Sequence, residues 1–207
     1  MTDRWVDLRA DVDRFVPEDD VLADAREQAA RCGCRPVAPA VGAALRFLAA
    51  AISARAVVEI GTGTGVSGLW LLRGMVADGT LTSIDIDPER QRAARAAFVA
   101  AGNGPSRLRL INGMGLEVLP RLTDGGYDLV FVDAAPADHP RYLDESLRLL
   151  RGGGIVAING VTPDGGNAAG QSIEAAQEVA RRMLEDDRLT PVLLPLGDGL
   201  LTAVKRV

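Results

Sequence analysis

The sequence predicts an α/β fold in which a mostly parallel sheet has helices on both faces and ends in an antiparallel hairpin. From residue 56 onward, short apolar runs typical of strands alternate with longer stretches typical of helices, and this alternation is characteristic of parallel sheets. The apolar run before Gly61 leads into three alternating glycines and then into an apolar helix pattern. Near the end of the chain, Gly197-Asp198-Gly199 separates two apolar runs, which favours a hairpin and therefore at least one antiparallel strand.

Length and composition indicate one globular domain. The 207 residues are enough for a sizeable core, and we predict a helical cap over residues 1–54 and a sheet-containing core over residues 55–207. A net charge of −5 without a basic run argues against a nucleic-acid partner. No apolar run reaches the length of a membrane span, and the first residues lack the apolar stretch of a signal peptide. We therefore expect no membrane partner and a cytoplasmic location, with Cys32 and Cys34 as reduced thiols.

Three helices are predicted before the first strand. The first has apolar residues at helical spacing, namely Trp5, Leu8, Val12 and Phe15. Two more are predicted over residues 21–31 and 41–54. These helices either only cover the sheet, or wall a substrate pocket and form a dimer seam. Their apolar residues favour a homodimer.

The alternating part of the chain gives five strands and five helices. The strands are predicted at residues 56–60, 81–85, 107–111, 127–132 and 154–158. The helices are predicted near residues 66–77, 88–101, 115–122, 140–150 and 171–186. The closing hairpin is predicted over residues 191–196 and 200–204.

The glycine run and a later acid predict a site for an adenosine-containing cofactor. Gly61, Gly63 and Gly65 allow a sharp turn from strand to helix and let a ligand approach the backbone. Free N–H groups at the start of the following helix favour an anion such as a carboxylate or phosphate. Asp85 ends the second strand, 24 residues after Gly61, where a carboxylate can accept hydrogen bonds from ribose hydroxyls.

Two cofactors fit this pattern. Residues 63–68 match the dinucleotide pattern G-x-G-x-x-G, but the first glycine of this match comes late after the strand. Counted from Gly61, the third glycine position is Val66 and the match fails. The alternative is S-adenosylmethionine, because Glu59 and the three glycines resemble motif I of class I methyltransferases.

Within that class, the chain resembles the small O-methyltransferases typified by the catechol and caffeoyl-coenzyme A enzymes. The resemblance covers roughly residues 36 to 207 and is carried by residues 59–65, 84–89, 127–134 and 149–153. It implies a Rossmann-like sheet with a reversed last strand. It also implies that the methionine end of the cofactor, its ribose and its adenine lie against Glu59, Gly61, Thr62, Gly63, Gly65, Ser67, Asp85, Ile86, Gly113, Met114, Gly115 and Asp133.

The same resemblance implies a divalent cation such as Mg²⁺ at the acceptor, held by an aspartate after the fourth strand and an Asp-Asn pair after the fifth, with help from a lysine. This sequence keeps Asp133, but has Asn159-Gly160 at the pair and Pro136 at the lysine position. Its single lysine is Lys205. With one carboxylate lost, we expect Asp133 and Asn159 to bind a cation weakly or not at all, unless Asp164 substitutes as a ligand.

The candidate catalytic residues are Asp133 and His139. His139 is the only histidine and follows Asp133 by six residues. It either serves as a general base without a metal, or caps or precedes the helix that begins at Pro140, which we favour. Asp138 is expected to be a turn or cap residue.

The sequence therefore predicts an S-adenosylmethionine-dependent O-methyltransferase that acts on a small hydroxylated, aromatic acceptor with weak or no metal dependence. Two alternatives remain. The first is a protein of this fold that binds S-adenosylmethionine with little catalytic activity, and the more distant one is an NAD-dependent dehydrogenase.

Overall fold

The fold is known from a computed structural model that describes residues 10–162 and 170–207. The described strands are β1 Ala56–Ile60, β2 Thr80–Asp85, β3 Leu108–Asn112, β4 Tyr127–Val132, β5 Leu150–Asn159, β6 Leu189–Leu194 and β7 Leu200–Lys205. They form one sheet in the order β3-β2-β1-β4-β5-β7-β6. The first five strands run parallel, and β7 pairs antiparallel with both β5 and β6. The predicted mostly parallel sheet with a closing antiparallel hairpin is confirmed.

Eight helices of the described chain surround this sheet. They are α1 over residues 10–15, α2 Asp20–Arg31, α3 Pro39–Ala51, α4 Val66–Gly74, α5 Pro88–Ala100, α6 Gly115–Val118, α7 His139–Leu149 and α8 Gly170–Glu185. No helix in the described part of the chain is long and apolar enough to cross a membrane. Trp5 and Leu8, which contribute to the predicted first helix, lie outside the described residues.

Strand residues alternate between two hydrophobic clusters, because successive side chains of a strand point to opposite faces. Val57 and Phe131 pack with α2, α3, α4 and α5 on one face, whereas Val58 and Val132 pack with α6, α7 and α8 on the other. The N-terminal helices α2 and α3 therefore share a core with the sheet. Helices cover both faces, as predicted.

The strand bounds follow the prediction closely, with one exception. β5 begins at Leu150 instead of residue 154, because Leu150 already pairs with Tyr127 before an irregularity in the register. The carboxyl ends of β1, β2 and β4 meet at one edge, where the Gly61 N–H donates to Ile84 O at 2.9 Å and the Asp133 N–H donates to Ile60 O at 2.8 Å. The residues that follow these strands are therefore brought together, as parallel topology requires.

Candidate active site

The glycine turn after β1 has a shape that only glycine satisfies at two positions. Gly61 has a φ of 96° and Gly65 a φ of 93°, a region that L residues rarely adopt. A Cβ at Gly61 would lie 2.1 Å from the carbonyl oxygen of Asp133, and one at Gly65 would lie 3.1 Å from Ala94. Gly65 is also the N-cap of α4, and no described side chain caps this helix. Its first N–H groups are thus free to face an anion.

Asp85 is held at the end of β2 by two backbone donors. Its Oδ2 accepts from the Gly63 N–H at 2.8 Å, and its Oδ1 accepts from the Asp87 N–H at 2.9 Å. Asp87 in turn caps α5 by accepting from the N–H of Glu89. Each Asp85 oxygen keeps a further lone pair, so this fixed carboxylate can accept from two hydroxyls of a ribose.

A cavity of about 500 Å³ lies over these residues. It is lined by ten of the predicted site residues, namely Gly61, Thr62, Gly63, Ser67, Asp85, Ile86, Gly113, Met114, Gly115 and Asp133. Ile86 and Met114 are apolar yet 68% and 56% exposed, so both offer an apolar surface to a flat ring at the cavity. These residues and the free N-terminus of α4 fit an adenosine ligand that carries a carboxylate.

Glu59, which was also predicted to lie at the methionine end of the cofactor, does not line this cavity. Its side chain is completely buried below the glycine turn. Oε1 accepts from the Ser67 hydroxyl at 2.6 Å, and Oε2 accepts from the Ser83 hydroxyl at 2.5 Å. Because its side chain is completely buried, Glu59 is connected to the cavity in this structure through these hydrogen-bonded serines. Gly65, likewise, is outside the lining and shapes the turn.

Asp133 lines the cavity and interacts with Asn159. The Asn159 amide Nδ2 donates to Asp133 Oδ1 at 2.9 Å, across the carboxyl ends of β5 and β4. Burial raises the pKa of the Asp133 carboxyl to about 6, with a further rise from the nearby Asp198 carboxylate, while the Asn159 hydrogen bond and Arg35 oppose this rise. Asp133 is thus ionised at neutral pH and can accept a hydrogen bond or a proton.

The donor set around Asp133 does not fit a divalent cation. Asn159 presents its N–H to Asp133, and its own Oδ1 is buried without a hydrogen-bond partner in the described chain. Gly160 has no side chain to contribute, and no group of three acidic, histidine or cysteine residues that could hold a metal occurs among residues 10–162 and 170–207. Mg²⁺ requires several oxygen ligands, whereas one carboxylate is present here. Asp164, the possible substitute, lies outside the described residues.

His139 is not brought to the cavity, so the geometry does not support its use as a general base. It is the first residue of α7 and completely buried. Its Nε2 lies 3.3 Å from the carbonyl oxygen of Ala134, and its Nδ1 has no partner among the residues that the structure describes. Burial lowers the pKa of His139 below its ordinary value. The favoured interpretation placed His139 just before a helix that begins at Pro140, whereas the helix begins one residue earlier, at His139 itself.

One wall of the cavity is formed by residues that no sequence motif identifies as part of a binding site. Residues 33–37 connect α2 to α3 and line the cavity, as does Tyr142 of α7. In this connection, Arg35 pairs with Asp198 of the closing hairpin at 3.0 Å. Lys205, the single lysine, does not line the cavity. Its Nζ donates to the carbonyl oxygens of Leu147 and Leu150 near the end of α7.

The chain is similar to known proteins in both sequence and structure. Residues 14–207 match the O-methyltransferase family. A relative from Mycolicibacterium vanbaalenii, which its name assigns provisionally to the O-methyltransferases, is 56% identical over 194 residues, covering 92% of this chain and 86% of the relative.

Two solved structures are also similar. A Corynebacterium glutamicum protein superimposes with a TM-score of 0.89 at 30% identity, covering 99% of this chain and 98% of that one. The O-methyltransferase TomG of Streptomyces achromogenes, involved in tomaymycin synthesis and solved in complex with S-adenosylmethionine, gives a TM-score of 0.86 at 26% identity with full coverage of both chains. The chain therefore belongs to the O-methyltransferase family, within the S-adenosylmethionine-dependent class I methyltransferases.

Proposed function

We propose that this protein transfers the methyl group of S-adenosylmethionine to a hydroxyl of a small aromatic acceptor, and that it does so without a tightly bound divalent cation. The observation that carries the proposal is one cavity that joins the Asp85 carboxylate, the uncapped start of α4 and Asp133. The relative with bound S-adenosylmethionine supports the choice of cofactor.

The residues that would hold the cofactor divide into three groups. Asp85 accepts from the ribose hydroxyls, and Ile86 and Met114 cover the adenine. Thr62, Ser67 and the first N–H groups of α4 face the methionine carboxylate. When bound, S-adenosylmethionine supplies a methyl group on a sulfonium, which makes that methyl electrophilic. The protein contributes alignment and the exclusion of water.

At the acceptor end, Asp133 is the residue that takes the hydroxyl proton. Its carboxylate is ionised at neutral pH, since burial raises its pKa only to about 6. Asn159 holds Oδ1, which leaves Oδ2 for the acceptor hydroxyl. Apolar residues of the lining, Pro36 and Val37 among them, suit an aromatic ring, and the family resemblance supports the same acceptor class.

A methyl-transfer assay tests this proposal. The purified protein is incubated with S-adenosylmethionine and a panel of phenols and hydroxylated aromatic acids, with either Mg²⁺ or a chelator, and products are identified by mass spectrometry. We expect an O-methylated product at equal rates in both conditions. Turnover that the chelator abolishes would refute the metal-independent mechanism.

A second function is favoured by one observation: two groups that the family uses at the acceptor are absent. Pro136 stands at the lysine position and Asn159-Gly160 at the Asp-Asn pair. The protein would then bind S-adenosylmethionine with little catalytic activity. Calorimetric binding of S-adenosylhomocysteine without turnover of any acceptor in the panel would favour this alternative. Binding of NAD without binding of S-adenosylhomocysteine would favour a dehydrogenase.

Two expectations about the molecule in the cell stay predictions. We propose a homodimer formed through the N-terminal helices, on which Phe15 and Phe47 are exposed. We also propose a cytoplasmic location. Fluorescent fusion of the complete chain tests the location, and the oligomeric state is addressed below.

A further inference from the structure

Glu59 is a buried ionisable group that the proposed reaction does not use. It sits one layer below the cavity, and three hydroxyl groups connect it to the cavity surface. Ser67 and Ser83 donate to its two oxygens, and the hydroxyls of Thr62 and Ser83 lie 2.7 Å apart. Thr62 and Ser67 both line the cavity.

The protonation state of Glu59 decides how many hydrogen bonds this cluster can donate into the cavity, because each hydroxyl carries only one proton. Ionised Glu59 has no proton, so Ser67 and Ser83 each commit their single proton to it. Ser83 then cannot donate to Thr62, and Ser67 presents only lone pairs to the cavity, which repel a carboxylate. If Glu59 is protonated, its own O–H donates to one serine and releases that serine's proton.

Either serine passes this proton towards the cavity. A proton released from Ser67 is donated into the cavity directly. A proton released from Ser83 is donated to Thr62, whose own O–H is then free to turn into the cavity. In both cases protonation of Glu59 creates one additional donor beside the start of α4, where an anion is favoured.

The surroundings of Glu59 favour the protonated form. Apolar Phe98 of α5 lies near the carboxyl group, since a Cβ at Gly68 would be 2.6 Å from the Phe98 ring and 3.2 Å from Glu59 Oε2. The charged groups that act on Glu59 are Asp85 from β2 and Asp133 from the end of β4, both acidic, and α4 contributes the neutral Ser67 and Gly68. Burial raises the pKa of Glu59 to about 8, against the opposing hydrogen bonds from Ser67 and Ser83, and the two carboxylates add a smaller rise.

We propose that Glu59 is a positioning residue whose proton allows Ser67 and Thr62 to hold the methionine carboxylate of the cofactor. This inference rests on the proposed function, because it requires S-adenosylmethionine as the cofactor. Above the pKa of Glu59, ligand binding takes up one proton from solvent. No covalent bond changes, and Glu59 itself does not touch the ligand.

The test is calorimetric titration of the complete protein with S-adenosylhomocysteine, which carries the same carboxylate, between pH 7 and pH 9.5. The Kd is expected to rise about 30-fold over this range, because only the protonated fraction binds. Titrations at pH 9 in two buffers of different ionisation enthalpy should give an uptake of about one proton. Asp133, whose pKa is about 6, stays ionised throughout this range.

The variant Glu59→Gln separates this role from a structural one. A glutamine side chain presents a carbonyl acceptor on one side and an NH2 donor group on the other, in the same arrangement as the C=O and O–H of protonated glutamic acid, and it cannot ionise. The Kd of this variant for the ligand is therefore expected to stay flat over the same range. The amine of the ligand also loses its proton in this pH range, but any effect of this on the Kd is equal for both proteins. The difference between the wild type and Glu59→Gln therefore reports Glu59 alone. An equal dependence on pH in the wild type and in Glu59→Gln would overturn the proposal.

A ligand without a carboxylate tests the wild-type protein even if the variant fails to fold. 5′-Methylthioadenosine lacks the amino-acid end of the cofactor, so its Kd should not depend on the proton of Glu59. A similar rise in Kd with this ligand as well would overturn the role in carboxylate recognition. A protein that binds neither ligand at any pH would instead refute the cofactor assignment on which the inference rests.

Discussion

Asn159 donates its amide N–H to Asp133 Oδ1 at 2.9 Å. This single hydrogen bond occupies a carboxylate oxygen that a cation would require, and it leaves the buried amide oxygen of Asn159 without a partner in the described chain. The acceptor end is therefore organised by hydrogen bonding, with a neutral amide orienting one acid.

The first prediction is that two substitutions create a cation site. Asn159→Asp supplies a second carboxylate, and Gly160→Asn supplies an amide oxygen at a position with a φ of 76° and no described atom within 4 Å of an added Cβ. Asparagine adopts this region more readily than most residues. The double variant should bind Mn²⁺ in electron paramagnetic resonance titrations at least tenfold more tightly than the wild type. Gly160→Asn alone is the control, and equal binding by all three proteins would contradict the prediction.

The second prediction concerns the ribose contact. Asp85→Ala removes a carboxylate held by two backbone donors, so it should weaken binding of S-adenosylhomocysteine by about 1–3 kcal/mol. Calorimetry measures this loss. Asp78→Ala, at an exposed acid paired with Arg55, serves as the matched control and should bind like the wild type. Unchanged affinity in Asp85→Ala would remove Asp85 from the site.

The third prediction separates steric from conformational demands on glycine. Gly61→Ala places a Cβ 2.1 Å from the backbone oxygen of Asp133, and it should destabilise the protein by about 3 kcal/mol or more. Gly102→Ala is the control, because Gly102 also has a positive φ, 79°, but no described atom within 4 Å of the added Cβ. It should cost only about 1–2 kcal/mol. Urea unfolding measures both, and equal losses would contradict the predicted collision.

The fourth prediction is a pH dependence of stability that comes from His139. Burial lowers the pKa of His139 in the folded protein, so the unfolded chain binds the proton more tightly. The stabilisation is complete above the ordinary value of about 6.5 and is lost as the pH falls below it. Urea unfolding at pH 5 to 7.5 should show a smaller loss at low pH in His139→Gln than in the wild type. Parallel curves for the two proteins would refute this.

The fifth prediction concerns the oligomer. Phe15 of α1 and Phe47 of α3 are 85% and 70% exposed, so each leaves a large apolar side chain that a second copy of the chain could cover. Light scattering should give twice the chain mass for the wild type, and the mass of one chain for the double variant Phe15→Asp/Phe47→Asp. Leu184→Asp, at an exposed apolar residue of α8, should leave the dimer intact. A monomeric wild type would contradict the prediction.

The cofactor half of the site was predictable because its signals are local. The turn at Gly61 to Gly65 and the acid at Asp85 each follow a strand directly, and parallel topology brings them together. The surroundings of Glu59 were not predictable, because the sequence does not show that Ser83 of the next strand donates a hydrogen bond to its carboxylate. Spacing along one strand carries no information about partners across the sheet.

The proposed acceptor side of the site was harder to predict from the sequence, for a related reason. Asn159 and Pro136 indicated from sequence that the metal site is incomplete, but the hydrogen bond from Asn159 to Asp133 required the structure. Residues 33–37 have no periodic pattern that marks a binding wall. Only the packing of α2 and α3 against α4 brings this connection over the cavity.

That connection between α2 and α3 is one short loop outside the sheet, and it lines the same cavity as the glycine turn. The two parts of the site can consequently diverge at different rates. We expect mutations in the loop to change which molecules enter without disturbing strand pairing, and mutations in the glycine turn to affect folding and binding of the methyl donor together. Exchange of residues 33–37 between homologous enzymes is thus a direct way to transplant acceptor preference while the methyl-donor site is inherited unchanged.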